Sequence, residues 1–415
     1  MTTKRVMVVS DLHANQDRLP SKPNDTYILT EPPEARPLRN PLTDLKDWVA
    51  DLGEKFDYLI VPGDIANQAD GVGLAYAWDR LAELASLMGA ELVGVPGNHD
   101  VITHTASSDP RSHLKALNPS FPTADAAINI DFWANGWAVL DSDPEVRIVL
   151  LDSTVGFPPF PAGVSKKSAA YKAYLRELDR GSFSEKIEDE LEKILVSAPE
   201  KLNILVLHHH PVEHQNVSHM RDLYGAMHRG GDLVDLLSRH PSIGRWIIIH
   251  GHKHIPQLVN AVSVSSSGPL VLCAASLGHR LWHPINTVVR NQFHILDASN
   301  DPVPAVGSVR GEVHSFFWGY GIGWAPAEST GSGLPAQAGF GCVEDPKTLA
   351  KQIIDMMNDP AGVIDLLRAS DLLARFPQLR YQLPSDASFL RTVLRANGFD
   401  LIEHRGRLTQ LGRRV

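Results

Sequence analysis

The chain has 415 residues, of which 43% are hydrophobic and 21% charged, and its formal net charge is −9. That length and apolar share describe a globular protein built as one large domain plus a smaller one, with ample core. The acidic balance argues against nucleic-acid binding through the surface as a whole, and the two cysteines, Cys273 and Cys342, make neither a disulfide framework nor a thiolate metal motif.

Arg5 to Ser10 reads as a first strand and delivers Asp11-Leu12-His13 at its end. Alternate residues of an extended backbone face the same way, so Asp11 and His13 can offer two ligands to one metal ion. Residues 14–43 turn polar, with prolines at 20, 23, 32, 33, 37 and 41. Proline at that density defeats helix and central strand, which predicts a long irregular loop on the rim of this strand end. Leu42 to Leu52 reads as a helix with Leu45, Val49 and Leu52 on one face, ended by Gly53. Tyr58 to Val61 is a second apolar run, and Pro62-Gly63-Asp64 stops it. A helix over Gly73–Met88 follows, then a strand from Leu92 to Val95 that breaks at Pro96-Gly97. Behind the break stand Asn98, a neutral oxygen ligand, His99, a proton donor, and Asp100, a carboxylate able to hold an imidazole.

The same design recurs further on. Arg147 to Leu151 is a strand ending in Asp152-Ser153-Thr154, and Glu185 to Val196 is a charged helix with Ile187, Leu191, Ile194 and Leu195 on its core face. Ile204 to Leu207 leads into His208-His209-His210-Pro211, and Trp246 to Ile249 leads into His250-Gly251-His252-Lys253-His254. Ten of the nineteen histidines lie between His208 and His254, a clustering at two strand ends that metal binding explains better than scattered core roles. Val271 to Ala275 and Thr287 to Leu296 read as further strands. The alternation of strand, polar residues and helix is that of an α/β fold.

After about Pro302 the pattern stops. Residues 319–341 hold seven glycines interleaved with Trp324 and Tyr320, which suggests an arm or linker over 319–344 between a catalytic domain, 1–318, and a small, mainly helical domain, 345–415. In that last domain helices are expected at Pro346–Asn358, Pro360–Arg375 and Ser385–Asn397, with a hairpin over Phe399–Leu411 turning at Arg405-Gly406. It carries eleven Lys/Arg against eight Asp/Glu, a net +3 that leaves −12 for the rest.

The candidate ligands mix carboxylate, amide and imidazole, a set that suits Mn, Fe or Zn. Their order, D-x-H, G-D, G-N-H-D, H-x-P and G-H-x-H from Asp11 to His254, resembles the full signature of the calcineurin-like metallophosphoesterases. It is most similar to the branch containing class III cyclic-nucleotide phosphodiesterases and glycerophosphodiesterases. The resemblance implies an α/β/β/α sandwich with two divalent metal ions at one edge of the sheets. It implies Asp11, His13 and His254 with Asp64 on one metal, and Asn98, His209 and His252 with Asp64 on the other. His209 is taken over His208 because the family ligand lies two residues before the proline. His99 would protonate the leaving oxygen, with Asp100 orienting it. His210, His214, His228 and His250 read as loop residues or as supports behind the ligands.

The leading expectation is therefore a metal-dependent phosphodiesterase acting on a small nucleotide or similar soluble molecule. A DNA or RNA nuclease is the alternative, with the +3 tail, whose helices and hairpin loosely resemble a winged helix, supplying the basic track that polyanions require. A scaffold without catalysis ranks last, since it predicts missing ligands. The tail is also suited to recruiting a protein partner or a second copy of the chain. With no signal-peptide core and no membrane-length apolar run, the expected setting is cytoplasmic, without a membrane partner.

Overall fold

The computed structural model describes residues 3–16, 25–30, 40–214, 225–262, 267–283, 285–300, 306–327, 333–359, 365–404 and 407–414. The first sheet starts with three parallel strands, β1 (Lys4–Val8), β2 (Tyr58–Val61) and β3 (Glu91–Gly94). Helices Pro41–Leu52 and Gly71–Met88 make the crossovers between them. Their ends follow the expected chemistry. Asn40 and Asp70 cap the N-termini by accepting backbone N–H groups, and Gly53 and Gly89 close the C-termini in the left-handed conformation.

The second sheet takes the middle of the chain, with β4 (Trp137–Leu140), β5 (Val146–Leu151), β6 (Leu202–Val206), β7 (Trp246–His250), β8 (Gln257–Val262) and β9 (Ser267–Cys273) in the order β4-β5-β6-β7-β9-β8. β5, β6, β7 and β9 run parallel. The chain then returns to the first sheet through β10 (Gln292–Ser299), antiparallel to β1, and β11 (Val306–Gly319). The strand expected over Thr287–Leu296 thus starts later, at Gln292, behind a short 3-10 turn at Ile285–Thr287.

Period-two alternation explains how the sheets stack. In β6, Leu202, Ile204 and Val206 join the large core between the sheets. Leu205 and Leu207 face a second core built with the helices Glu185–Leu195 and Gly230–Ser238. β5 and β7 divide their residues in the same way, so these strands are apolar on both faces and read as unbroken apolar runs. The α/β sandwich expected from the sequence is the fold observed.

The glycine-rich stretch does not form the expected arm. β12 (Gly323–Pro326) and β13 (Gln337–Cys342) both pair antiparallel with β11 and extend the first sheet. Buried tryptophans fix this edge: Trp318 Nε1 donates to Asp44 at 2.8 Å and Trp324 Nε1 to the Pro41 carbonyl at 2.9 Å. Gly339 and Gly341 serve close packing here rather than looseness. A Cβ on Gly339 would stand 1.9 Å from the Arg380 carbonyl oxygen, where the tail lies against β13.

The tail has its own core of Leu349, Ile353, Met357, Leu372, Leu390, Leu394, Phe399 and Leu411. Helices Pro346–Met357, Ala369–Arg375 and Pro384–Ala396 pack on a small sheet of β14 (Leu366–Arg368), β15 (Phe399–His404) and β16 (Arg407–Arg413), ordered β14-β16-β15. The expected helix over Pro360–Arg375 is in part β14, because Leu366-Leu367-Arg368 pairs with β16; its first residues, 360–364, lie outside the described ones, as does the hairpin tip 405–406. Of the proline-rich loop, 17–24 and 31–39 also lie outside them. Its described centre packs under the site, where Thr26 Oγ1 donates to the Leu12 and Gly278 carbonyls.

Candidate metal centre

The parallel strands of the two sheets end side by side, and their loops are laced together at the crevice this creates. The Asp11 N–H donates to the Gly63 carbonyl at 3.2 Å, the His13 N–H to the Asp64 carbonyl at 3.0 Å, and the His252 N–H to Asp11 Oδ1 at 3.1 Å. Five candidate ligands, Asp11, His13, Asp64, His252 and His254, have φ between 50° and 74°. Non-glycine residues adopt this left-handed region at a cost, and such strain gathers at functional sites. Sharp reversal of the backbone straight after each strand turns these side chains back toward a common point.

At that point the carboxylates and imidazoles form two groups that share Asp64. Ligand atoms of Asp11, His13, Asp64 and His254 lie within 4.8 Å of one another, as do those of Asp64, His208 and His252. Asn98 Oδ1 adjoins the second group, 3.0 Å from His208 Nε2 and 3.1 Å from His252 Nδ1. Asp11, His13 and Asp64 are almost wholly buried. Among the described residues, both ring nitrogens of His13, Nε2 of His252 and Nδ1 of His254 are buried without a hydrogen-bond partner. Each such atom costs about 1–3 kcal/mol when left unsatisfied. The unpaired Nε2 of His13 lies 3.9 Å from Asp11 Oδ1 and 3.6 Å from Asp64 Oδ2, and a divalent cation between them would satisfy the nitrogen and both carboxylates.

Electrostatics agree with that fit. Burial alone would raise Asp64, but His208, His99 and His13 beside it hold its carboxyl well below the usual range. Burial likewise opposes charge on His208, yet Asp64 and Asp11 outweigh it and push the imidazole up to about 9. A position that draws a proton this strongly draws a metal cation for the same reason. His13 and His252 are held neutral, first by burial and then by neighbouring histidines, the state in which imidazole ligates metal.

Of the residues singled out from the sequence, Asp11, His13, Asp64, Asn98, His252 and His254 come together, and His209 does not. Its Nδ1 is 2.8 Å from Ser153 Oγ and its Nε2 3.0 Å from the Leu178 carbonyl, so both nitrogens are used beneath the helix Ala169–Arg180. His208 takes the place instead, its Nε2 3.3 Å from Asp64 Oδ2 and its Nδ1 donating to the Pro62 carbonyl at 2.8 Å. The signal was present in β6. Ile204 and Val206 face between the sheets, and the next residue of that parity is His208.

Asp100 also differs from expectation, since it does not orient His99. Its carboxylate accepts the Ala66 N–H at 2.7 Å and the Gly97 N–H at 2.9 Å, which braces the loop after β3 against the loop after β2. Burial and Asp64 push it up to about 7. The partner of His99 is Asn67, which sequence reasoning missed, with Oδ1 3.3 Å from His99 Nδ1. His279 was missed too: its ring centroid lies 4.6 Å from that of His13 and 4.7 Å from that of His254. Neither residue sits in a recognisable motif.

A two-sheet α/β sandwich with a shared carboxylate between two nitrogen- and oxygen-rich clusters defines a metal-dependent phosphoesterase. The chain belongs to the calcineurin-like phosphoesterase family, whose model matches residues 4–256. A second family model, wHTH-Calcineurin_assc, a winged helix-turn-helix, matches residues 338–396. Among solved structures the chain is similar to a dimetal phosphatase from Danio rerio, with 14% identity, 80% of this chain and 100% of that chain covered, and a TM-score of 0.46. It is also similar to the purple acid phosphatase PPD1 from yellow lupin seeds, with 13% identity, 76% and 52% covered, and a TM-score of 0.44. For PhoD the figures are 10% identity, 81% and 74% covered, and 0.42. No curated protein matches. No helix among the described residues is long and apolar enough to cross a membrane.

Proposed function

We propose that the protein hydrolyses phosphodiester bonds in a small soluble substrate, a nucleotide or a related molecule, with two divalent ions of the Mn, Fe or Zn type. Asp11, His13 and His254 would hold one ion and Asn98, His208 and His252 the other, with Asp64 on both. Bound there, the pair supplies Lewis-acid charge and an activated water for attack on phosphorus. The observation that carries this reading is the membership of Asp64 in both ligand groups. The order of the motifs, which resembles the cyclic-nucleotide and glycerophosphodiesterase branch, supports the diester preference.

The chain's own groups have separate tasks in this reading. His99 is partly exposed beside His13, at 4.6 Å between ring centroids, and protonates the departing alkoxide. Asn67 holds the ring that does so, and Asp100 holds the loop.

Nuclease action is the second reading, favoured by the winged-helix match at residues 338–396. Against it, Arg391 and Arg395 on the helix Pro384–Ala396 are already ion-paired to Glu403 and Asp400. One screen decides between them: metal-reconstituted protein with bis-p-nitrophenyl phosphate, p-nitrophenyl phosphate, cyclic mononucleotides and single-stranded DNA. Turnover of the small diesters above the monoester supports the proposal. Turnover of DNA alone, or of the monoester alone, overturns it.

A further inference from the structure

We propose that Trp282 is the stacking platform for a nucleobase carried by the substrate. The proposal rests on the phosphoesterase reading of the metal centre and narrows its substrate class. Trp282 lies in the segment that follows β9, and this segment is tied to the Asp11 loop at three points. The Leu277 N–H donates to the Ser10 carbonyl at 2.8 Å, the Gly278 N–H to the Asp11 carbonyl at 3.3 Å, and Ser276 Oγ to the Asp11 carbonyl at 2.7 Å. The position of Trp282 relative to the centre is therefore set by the same backbone that sets Asp11.

A row of rings leads from the proton donor to this tryptophan. His99 lies 4.6 Å from His13, His13 lies 4.6 Å from His279, and Trp282 lies 5.7 Å from His279 and 5.9 Å from His254 between centroids. The two histidines meet the indole at 83° and 62°, so neither covers it by stacking. The side chain stays 48% exposed, whereas Trp78 and Trp246 are wholly buried in the cores. An open indole on the rim of a polar, histidine-lined centre is a place for a flat aromatic group to rest once the phosphate is seated.

Chemistry favours a nucleobase over the other ligand that a lone indole attracts, a quaternary ammonium. Ammonium sites surround the cation with several aromatic faces. The rings in contact with Trp282 are histidines, and the neighbouring Arg280 guanidinium, 4.9 Å above the Tyr27 ring, adds positive charge to this rim. A base needs one face only and tolerates the charge.

The test compares two ligands that differ only by the base. Titration calorimetry of the full, metal-reconstituted chain with adenosine 5′-monophosphate and with ribose 5-phosphate gives the ratio of their affinities. Stacking of one base predicts that the nucleotide binds about 5- to 150-fold tighter to the wild type. Trp282→Ala brings the two affinities together, and Trp282→Phe restores most of the difference. Equal affinities in the wild type, or a preference that survives Trp282→Ala, overturns the proposal. Tighter binding of glycerophosphocholine than of the nucleotide, lost in Trp282→Ala, overturns it in favour of an ammonium site. Because the ratio is read from binding, it stands apart from the diester screen. A protein that cleaves no diester yet shows the ratio refutes the reaction and keeps the platform.

Discussion

The backbone N–H of His99 donates to Asp64 Oδ1 at 2.8 Å, which leaves Asp64 Oδ2 facing His13 at 3.6 Å and His208 at 3.3 Å. The loop that carries His99, the proposed proton donor, thus also positions Asp64, and it does so through a main-chain group that alanine at position 99 leaves in place. His99→Ala is therefore expected to retain its metals. Turnover of diesters with basic leaving groups should fall by about 10²–10⁴-fold, while p-nitrophenyl esters, whose leaving group needs no proton, change little. Metal content and the two rates are measured on one preparation, and an equal loss on both substrates would instead indicate a damaged site.

Parity in β6 separates two adjacent histidines. His208→Ala should lose about one of two metal equivalents, because its Nε2 lies among the Asp64, Asn98 and His252 donors. His209→Ala should keep both and lose about 1–3 kcal/mol of stability, since the buried Leu178 carbonyl loses its ring partner and Ser153 Oγ keeps only the residue-209 N–H. Elemental analysis and urea unfolding check the pair.

Gly97 tests how tightly the loop after β3 approaches the shared carboxylate. A Cβ there would stand 2.1 Å from Asp64 Oδ1. Gly97→Ala should displace Asp64 and lower metal content and turnover together, in a protein whose circular dichroism spectrum is unchanged.

The sequence made the architecture and most of the site readable for one physical reason. Strands buried on both faces show as apolar runs, and each run here ends in residues of unmistakable chemistry, as Val61 does before Asp64 and Ile249 before His252. What it did not show depends on geometry beyond a single element. The left-handed turns at Asp11, His13 and Asp64 are adopted against intrinsic preference, because loops from two sheets lock them. Asn67 and His279 reach the site only through tertiary packing. The glycines of 319–341 resembled a linker because small residues mark flexible chains and close sheet packing alike.

That last point changes where the chain can be cut. A chain ending at Pro326 would lose β13 and uncover the β11 edge and the core around Val313, whose strand partner is Ala338. It should aggregate, whereas one ending after Glu344 keeps β13 and should remain monodisperse and active on bis-p-nitrophenyl phosphate. Size-exclusion chromatography and turnover of the two are compared. Inactivity of the longer form while folded would make the winged helix part of the catalytic unit.

His294 provides an acid-sensitive contribution away from the metal centre. It is buried, accepts the Ala275 N–H at Nε2 and faces Ser315 Oγ through Nδ1, and burial pushes it down to about 3. An unfolded histidine titrates near 6.5, so the unfolded state binds the proton first. The contribution is complete above that value and is lost as pH falls from about 6.5 toward 3, by about 1.4 kcal/mol per unit. His294→Gln should be less stable at pH 7 but should lose less on going to pH 5. Urea midpoints with chelator in every sample, so that metal release plays no part, read the difference.

The most direct measurement of the central claim is metal stoichiometry. Wild-type protein reconstituted with Mn, Fe or Zn and freed of excess ion should hold two equivalents, and Asp64→Ala, which removes the carboxylate common to both groups, should hold fewer than one. A wild type that binds at most one equivalent of any of these metals, or an Asp64→Ala protein that keeps both, would contradict the account.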